Sequence, residues 1–597
     1  MAYLIGYFGK NKSQEKNNSL INLALEYSDK DNLTTVNIDN GFIVAGYKKE
    51  NQNHYNHIMP LNSDNGIFVG KTFDSNNYDS VNFSDLNENQ IKDLIKNPEK
   101  ISQSLWGRYI GILYDNTTQN LRLIRDPQGL SSIFYIIENN EIFFSTEIAL
   151  IYKILKHKPE INFDFFVQHL IHTNWALEST PFKNIKELLP GMGLNFNIDG
   201  TYSSKLLWDI NSFKGSFVKD KNKIEEELLE KLRATIKAWF KDSSGICVEL
   251  SGGTDSSGLM LLLNDIFKGS KKIVPVNYID SQVQASNEIE YAKEIADLCN
   301  TQLNFIDWQT TSILDKLPQD FRPNRPTTFN LFHNLRKQTF DLMAKNNCSD
   351  LANGQGGDHV FLAPPPESAI ADYLLERGLF GITKPIKELS GIYRTSWTNL
   401  LSKNKKTLFG YYKKNRYKNE EDILNLNKDV LQNTKYEKFY LEDIFKKIHP
   451  GKAYHIEALS HAVTYSERDT GSLGWAESHP ILFQPIVELG LKIPTYQSFE
   501  DGYDRIFFRK AIDRINNSKS MWRRIKGHTT GSMLKDFMKN IDTIQSIILN
   551  GKLAQNNIIN KPWVEDQLTK IQHGKADNLW PIIHILTSEL WFNQWEL

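Results

Sequence analysis

The chain has 597 residues, 40% hydrophobic and 24% charged, a composition that supports packed cores and excludes wholesale disorder. Lys plus Arg total 70 and Asp plus Glu total 71, so the basic excess of a dedicated nucleic-acid binder is absent. No apolar run reaches the roughly 20 residues that cross a bilayer, and the start, MAYLIGYFGKNKSQEK, lacks the pattern of a signal peptide. Three scattered cysteines, Cys247, Cys299 and Cys348, form neither a disulfide framework nor a four-Cys metal site, so a cytoplasmic chain with reduced thiols is expected.

Up to about residue 205 short apolar stretches alternate with polar turns. Residues 109–114 and 121–125 flank the turn DNTTQN and read as a hairpin; residues 133–137 and 141–145 flank ENN and read as another. With helical stretches such as 163–171 between them, this half reads as layered α+β structure with antiparallel sheets. After a helical stretch, KIEEELLEKLRATIKAWF, the rhythm changes. Strands are expected at 246–250, 273–278, 303–306 and 350–352, with helices from about 256, over 287–300 and over 329–345. That alternation implies a parallel sheet covered on both faces, with its ligand at the carboxyl ends of the strands. Beyond residue 371 the chain reads as mainly helical, and the Lys-rich stretch 403–418 as a solvated insert. Two domains are expected, 1–210 and 211–597.

The most specific chemical signal is SGGTDSS at 251–257, directly after one strand and before a helix. Gly252 and Gly253 let backbone N–H groups approach an anion, and a helix start adds free donors and a positive dipole. Ser251, Thr254, Ser256 and Ser257 surround Asp255 with hydroxyls. A carboxylate cannot face phosphate without a cation, for which Mg²⁺ is the natural choice. The string departs from GxxxxGK[ST], so it is not the ordinary P-loop. It resembles the pyrophosphate loop of ATP pyrophosphatases, the group of asparagine synthetase, β-lactam synthetase, argininosuccinate and GMP synthetases and some tRNA-modifying enzymes. That resemblance implies ATP cleavage between the α- and β-phosphates through an adenylated substrate.

A second stretch, NGQGGDHVF at 353–361, is similar to the SGxGxDxxF element of asparagine synthetase-like enzymes. The resemblance makes Asp358 the second Mg²⁺ ligand beside Asp255 and puts Gly356 and Gly357 in the ATP-binding loop. SNEIEYA at 286–292 is similar to the DExxYA helix of the same family. In the amino-terminal half, WGRYIG at 106–111, RDPQGL at 125–130, FSTE at 144–147, TPF at 180–182 and LPG at 189–191 resemble the glutaminase domain of asparagine synthetase. The implied architecture is an Ntn-glutaminase-like α/β/β/α sandwich followed by a parallel-sheet, adenine-nucleotide α-hydrolase-like synthetase domain. The departure lies at the nucleophile. The glutaminase uses an amino-terminal Cys, whereas here position 2 is Ala2 and no Cys precedes Cys247. The domain is therefore not expected to release ammonia from glutamine.

Three sources of the attacking amine remain: free ammonia, as in an ammonia-dependent asparagine synthetase; the same small molecule, as in β-lactam synthetase; or the same peptide, as in lasso-peptide cyclases. WAESHPILFQPIVELGLKIP at 475–494 resembles a stretch of asparagine synthetase, but His479 replaces its Arg and Gln484 its Asp. DRIFFRKA at 504–511 and WRRIKG at 522–527 resemble lasso cyclases. By that resemblance Lys526 reaches the polyphosphate, with Arg524 a second candidate. Gln355 occupies a position that is Glu in asparagine synthetase and Tyr in β-lactam synthetase, and an amide is no base. An α-amino group, with pKa near 8, is already about one-tenth neutral at pH 7, whereas a lysine is neutral about once in a few thousand molecules. A weakened base thus suits a peptide amino terminus, with Glu477, His359 or His479 as candidate bases. The expected reaction is adenylation of an Asp or Glu side chain and closure of an isopeptide ring, using ATP and Mg²⁺. The resemblance implies a precursor core peptide as substrate, and a leader peptidase and a leader-recognition protein as partners. An inactive ATP-binding scaffold is the rival of another class.

Overall fold

The computed structural model describes residues 2–48, 57–155, 157–210, 220–283, 288–408, 423–461, 477–524 and 530–597. Two six-stranded antiparallel sheets form the amino-terminal half. The first runs β10 (Lys186–Glu187), β8 (Phe134–Glu138), β9 (Glu141–Ser145), β1 (Tyr3–Phe8), β3 (Gly41–Gly46), β2 (Thr34–Ile38). The second runs β12 (Tyr202–Leu206), β11 (Met192–Asn197), β7 (Asn120–Arg125), β6 (Leu105–Asp115), β5 (Gly66–Asp74), β4 (Ile58–Pro60). Strand periodicity explains why they stack. Leu4 and Phe8 of β1 and Ile110, Ile112 and Tyr114 of β6 share the core between the sheets. The alternate residues Tyr3, Ile5 and Tyr7 pack instead on Leu20 and Leu23 of helix Gln14–Tyr27. On the far side, Tyr109 and Leu113 pack on Ile91 and Ile95 of helix Glu88–Lys96. Each sheet is apolar on both faces and covered by a helix outside, giving the expected α/β/β/α sandwich.

Helix Lys221–Trp239 leads into the second half, burying Ile224, Leu228, Leu232 and Ile236 at helical spacing. The sheet there is wholly parallel, in the order β15 (Asn304–Asp307), β14 (Lys272–Ile279), β13 (Gly245–Glu249), β16 (Asp350–Asn353), β17 (Glu477–Ser478). Four strands fall where the alternation predicts them. The fifth, β17, has two residues, too short for any periodicity. The helix expected at 329–345 starts at His333, because Thr327 caps a separate 3₁₀ turn, Thr328–Phe332, accepting the Phe329 N–H on its hydroxyl. Successive strands run outward from β13 in one direction through β14 and β15 and in the other through β16 and β17. The turn-about lies between β13 and β16, where doubly wound sheets open a crevice at their carboxyl ends.

The halves share one continuous core. Phe73 and Trp106 from the sandwich stack on each other at 4.4 Å between centroids, and Trp239 and Phe483 from the second half close on them. Lys71 reaches across to donate to the Trp239 carbonyl. Glu187 accepts from Arg125 at 2.5 Å within the sandwich and from Arg325 of the other half, all three buried. Among the described residues no helix is long and apolar enough to cross a membrane.

Candidate active site

The loop after β13 turns at Gly252, whose φ of +80° is left-handed. A Cβ there would stand 2.9 Å from the Ala292 amide nitrogen, so Gly252 permits the close packing of helix Ile289–Leu298. Helix Thr254–Phe267 begins two residues earlier than expected, with Gly253 as its N-cap. The Ser251 and Ser256 hydroxyls lie 3.0 Å apart and knit the turn: Ser251 accepts the Gly253 N–H, and Ser256 donates to the Gly253 carbonyl. The first helical turn, Thr254 to Ser256, carries N–H groups that have no partner within the helix, and these border the cleft. Ser257 is fully buried and does not line it.

The loop after β16 lies directly against this turn. A Cβ on Gly354 would come within 2.5 Å of the Ser256 amide nitrogen, and one on Gly357 within 2.3 Å of the Asp255 carboxyl carbon. Gly356, at φ +94°, starts the short helix Gly357–Val360 that carries Asp358. Asn353 holds the loop: its Oδ1 accepts the Gln355 N–H at 3.1 Å and lies 2.8 Å from His479 Nδ1, while its Nδ2 donates to Glu477 Oε2 at 3.1 Å.

Asp255 and Asp358, 103 positions apart in the chain, thus converge on one point. Arg505 Nη1 occupies it, 2.7 Å from Asp255 Oδ2 and bonded also to Asp358 Oδ1, while Arg505 Nε lies 3.1 Å from Asp504. Burial alone would lower the guanidinium pKa, but the three surrounding carboxylates raise it. Two oxygen donors from separate loops that already enclose a positive charge fit a hard divalent cation, which prefers carboxylate oxygens. The cleft around them measures about 820 Å³. Leu250, Val276 and Tyr278 give it an apolar wall, and Arg505, Arg509, Arg523 and Arg524 a basic one.

Residues 227–595 match the family described as asparagine synthase, and residues 86–207 match the glutamine amidotransferase domain. The chain belongs to the asparagine synthase family. It is similar to the amidase chry2 of Gibberella zeae, 27% identical over 173 residues, which cover 28% of this chain and 25% of that protein. It is similar to the amidase chyE of Penicillium rubens, 27% identical over 174 residues, 28% of this chain and 25% of that one. It is also similar to asparagine synthetase [glutamine-hydrolyzing] 1 of Bacillus subtilis, 23% identical over 198 residues, 33% of this chain and 30% of that one. The chain thus spans less than a third of the length of these curated relatives.

Within this asparagine synthase-type crevice the remaining sequence-expected residues divide. Gln355 and Gly356 line the cleft, as does His359, whose imidazole is pulled below its usual value by burial. Glu477 and His479 do not line it. Glu477 is buried beneath Asn353 in an ion pair with Arg336, so it holds the β16 loop in place. Arg524 sits at the exposed rim, its guanidinium 4.7 Å from the Tyr503 ring centre. Lys526, Ser286, Asn287 and residues 409–418 of the Lys-rich stretch lie outside the described residues. Arg505 and Arg523 belong to the 504–511 and 522–527 motifs, but the sequence assigned neither a role. Arg523 pairs with Glu288 at 2.7 Å, and its Nη2 would lie 3.9 Å from a Cβ on Gly253, beside the anion loop. All three cysteines are buried, and burial pushes the Cys299 thiol up to about 12 and the Cys348 thiol to about 11, disfavouring the thiolate. Ala2 is buried in the sandwich core.

Proposed function

We propose that the chain is an AMP-forming amide synthetase that closes a macrolactam in a leader-cleaved peptide, with 1–210 as a glutaminase-like domain that makes no ammonia and 211–597 as the synthetase. The convergence of Asp255 and Asp358 from two loops at the switch point carries the reading. ATP would lie with its base on the wall of Leu250, Val276 and Tyr278 and its phosphates over the first turn of helix Thr254–Phe267, where N–H donors and dipole favour negative charge. Asp255 and Asp358 would hold Mg²⁺, which would neutralise charge on the polyphosphate. Arg523, beside the Gly253 turn, would stabilise the pyrophosphate leaving group, with Lys526 assigned the same task by resemblance.

The substrate carboxylate attacks the α-phosphate and expels pyrophosphate; the amine then attacks the acyl carbon and expels AMP. Room for a second substrate supports a peptide. The main cleft shares the wall of Asp358, His359, Ala363 and Pro364 with a second cavity of about 280 Å³. Holding both peptide ends in one cleft makes the amide step intramolecular, worth about 7–11 kcal/mol. His359 is the base candidate facing that cavity, and burial, which pulls its imidazole below the usual value, makes it a weaker base than a free histidine.

The test is incubation of the full chain with ATP, Mg²⁺ and leader-cleaved candidate peptides, beside an Asp255→Ala control, with AMP and product mass read together. A peptide lighter by one water, formed with AMP and absent in the control, supports the proposal. AMP that appears only with free Asp and ammonium, with asparagine as product, replaces it by the ammonia-dependent asparagine synthetase reading.

A further inference from the structure

The position of Arg505 exceeds what charge pairing at a protein surface needs. It sits at φ +52°, a left-handed conformation unfavourable for a non-glycine residue, at the start of helix Ile506–Asp513. Its side chain is 9% exposed. A single nitrogen, Nη1, serves both Asp255 and Asp358, while Nε is anchored on Asp504, which Arg509 holds in turn at 2.9 Å. The point between the two carboxylates can hold one positive group. A divalent cation and Nη1 cannot share it, because the two repel and compete for the same oxygens.

We propose that Arg505 is an internal stand-in for the divalent cation, which makes the crevice take up metal together with nucleotide and refuse metal alone. This rests on reading Asp255 and Asp358 as the metal ligands. A lone divalent ion must displace a guanidinium that already satisfies both carboxylates, and it brings no new partner for that guanidinium. An ion arriving on a polyphosphate brings several anionic oxygens. Arg505 then exchanges carboxylate for phosphate, to which its planar fork is equally suited, and stays close to the transferred charge. Asp504 keeps the Arg505 Nε end anchored while the Nη end moves. Thermodynamic linkage requires the converse: metal must strengthen nucleotide binding by the same factor.

The test uses Mn²⁺ as probe on the purified full chain, with free Mn²⁺ followed by electron paramagnetic resonance, with and without α,β-methylene-ATP. In the wild-type protein the analogue is expected to tighten Mn²⁺ binding at least 100-fold. Arg505→Met is expected to bind Mn²⁺ alone at least tenfold more tightly than wild type, and Arg505→Lys by a smaller factor. Its shorter ammonium is a point charge without the fork that spans both carboxylates. Equal Mn²⁺ affinity in wild type with and without nucleotide overturns the inference, whatever the folding of the variants. So does an unchanged affinity for Mn²⁺ alone in an Arg505→Lys protein whose circular dichroism matches wild type. Asp255→Asn separates the two levels: if it leaves Mn²⁺–nucleotide binding intact, the metal-ligand reading itself fails; if it abolishes that binding while Arg505 variants behave as wild type, only the stand-in role fails.

Discussion

At the scale of single residues the crevice is made by groups that sequence shows one at a time and the fold brings together. Asp255 and Asp358 stand out in sequence because glycines and hydroxyls surround them. Arg505 shows only as one letter of the 504–511 motif, because its meaning comes from partners 250 and 147 positions away. Glu477 misleads for the same reason: an acid within a motif-like stretch reads as a base, but Arg336, remote in sequence, claims it. Gln355 lines the cleft, and its backbone N–H is held by Asn353 Oδ1. Gln355→Ala is expected to leave AMP formation within about twofold and to slow the amide step about tenfold, a loss of one positioning hydrogen bond to substrate. Single-turnover product mass against AMP release reads the two steps apart, and an amide step at the wild-type rate removes Gln355 from the mechanism.

The elements were legible to the degree that they are periodic. The hairpins of the sandwich show as short apolar runs split by polar turns, and the four longer strands of the parallel sheet as short apolar runs alternating with helical stretches. β17, at two residues, has no period, and its place in the sheet is set by pairing of Leu351 and Ala352 with Glu477 and Ser478. The close approach of the two site loops was also hidden, since a Gly-rich string does not say which backbone it accommodates. Gly354→Ala is expected to drive a methyl into the Ser256 amide, costing about 1–3 kcal/mol and weakening nucleotide binding. Gly391, inside helix Thr383–Tyr393, has nothing within 4 Å of a Cβ, so Gly391→Ala is expected to stabilise by about 0.5–1 kcal/mol. Urea midpoints of the two variants check the contrast; equal shifts in the same direction would contradict it.

For the whole molecule, the amino-terminal sandwich is bound into the second half by apolar and ionic contacts. Glu187→Gln leaves Arg125 and Arg325 without their shared buried charge, and a loss of about 3–5 kcal/mol in unfolding free energy is expected. A midpoint unchanged from wild type would show that this ion-pair cluster does not hold the halves together.

Histidines add a pH dependence. His169 lines a cavity with His359, His461 and His584 at the junction; burial, then His584 and Arg325, pull its pKa from 6.5 down to about 3. The unfolded chain takes up this proton near 6.5 and the folded chain does not, so the stability present above pH 6.5 is lost as pH falls. The loss is up to about 1.4 kcal/mol per unit. His169→Gln is expected to reduce the fall in stability between pH 7.5 and 5.0 by about 1–2 kcal/mol. Parallel profiles for variant and wild type would place the acid sensitivity elsewhere, with His461, held near 4 by burial and by His359 and His172, next in line.

On the proposed function, the Asp255–Asp358 crevice activates a carboxylate by splitting ATP between its α- and β-phosphates, with the amine supplied by the substrate and not by glutamine. Phosphorus-31 NMR of the full chain with ATP, Mg²⁺ and candidate peptide, run with and without glutamine, tests it most directly. The account predicts AMP and pyrophosphate in equal amounts, dependent on the peptide, lost in Asp255→Ala and indifferent to glutamine. ADP and orthophosphate as products, or AMP formation that requires glutamine and yields glutamate, would contradict it.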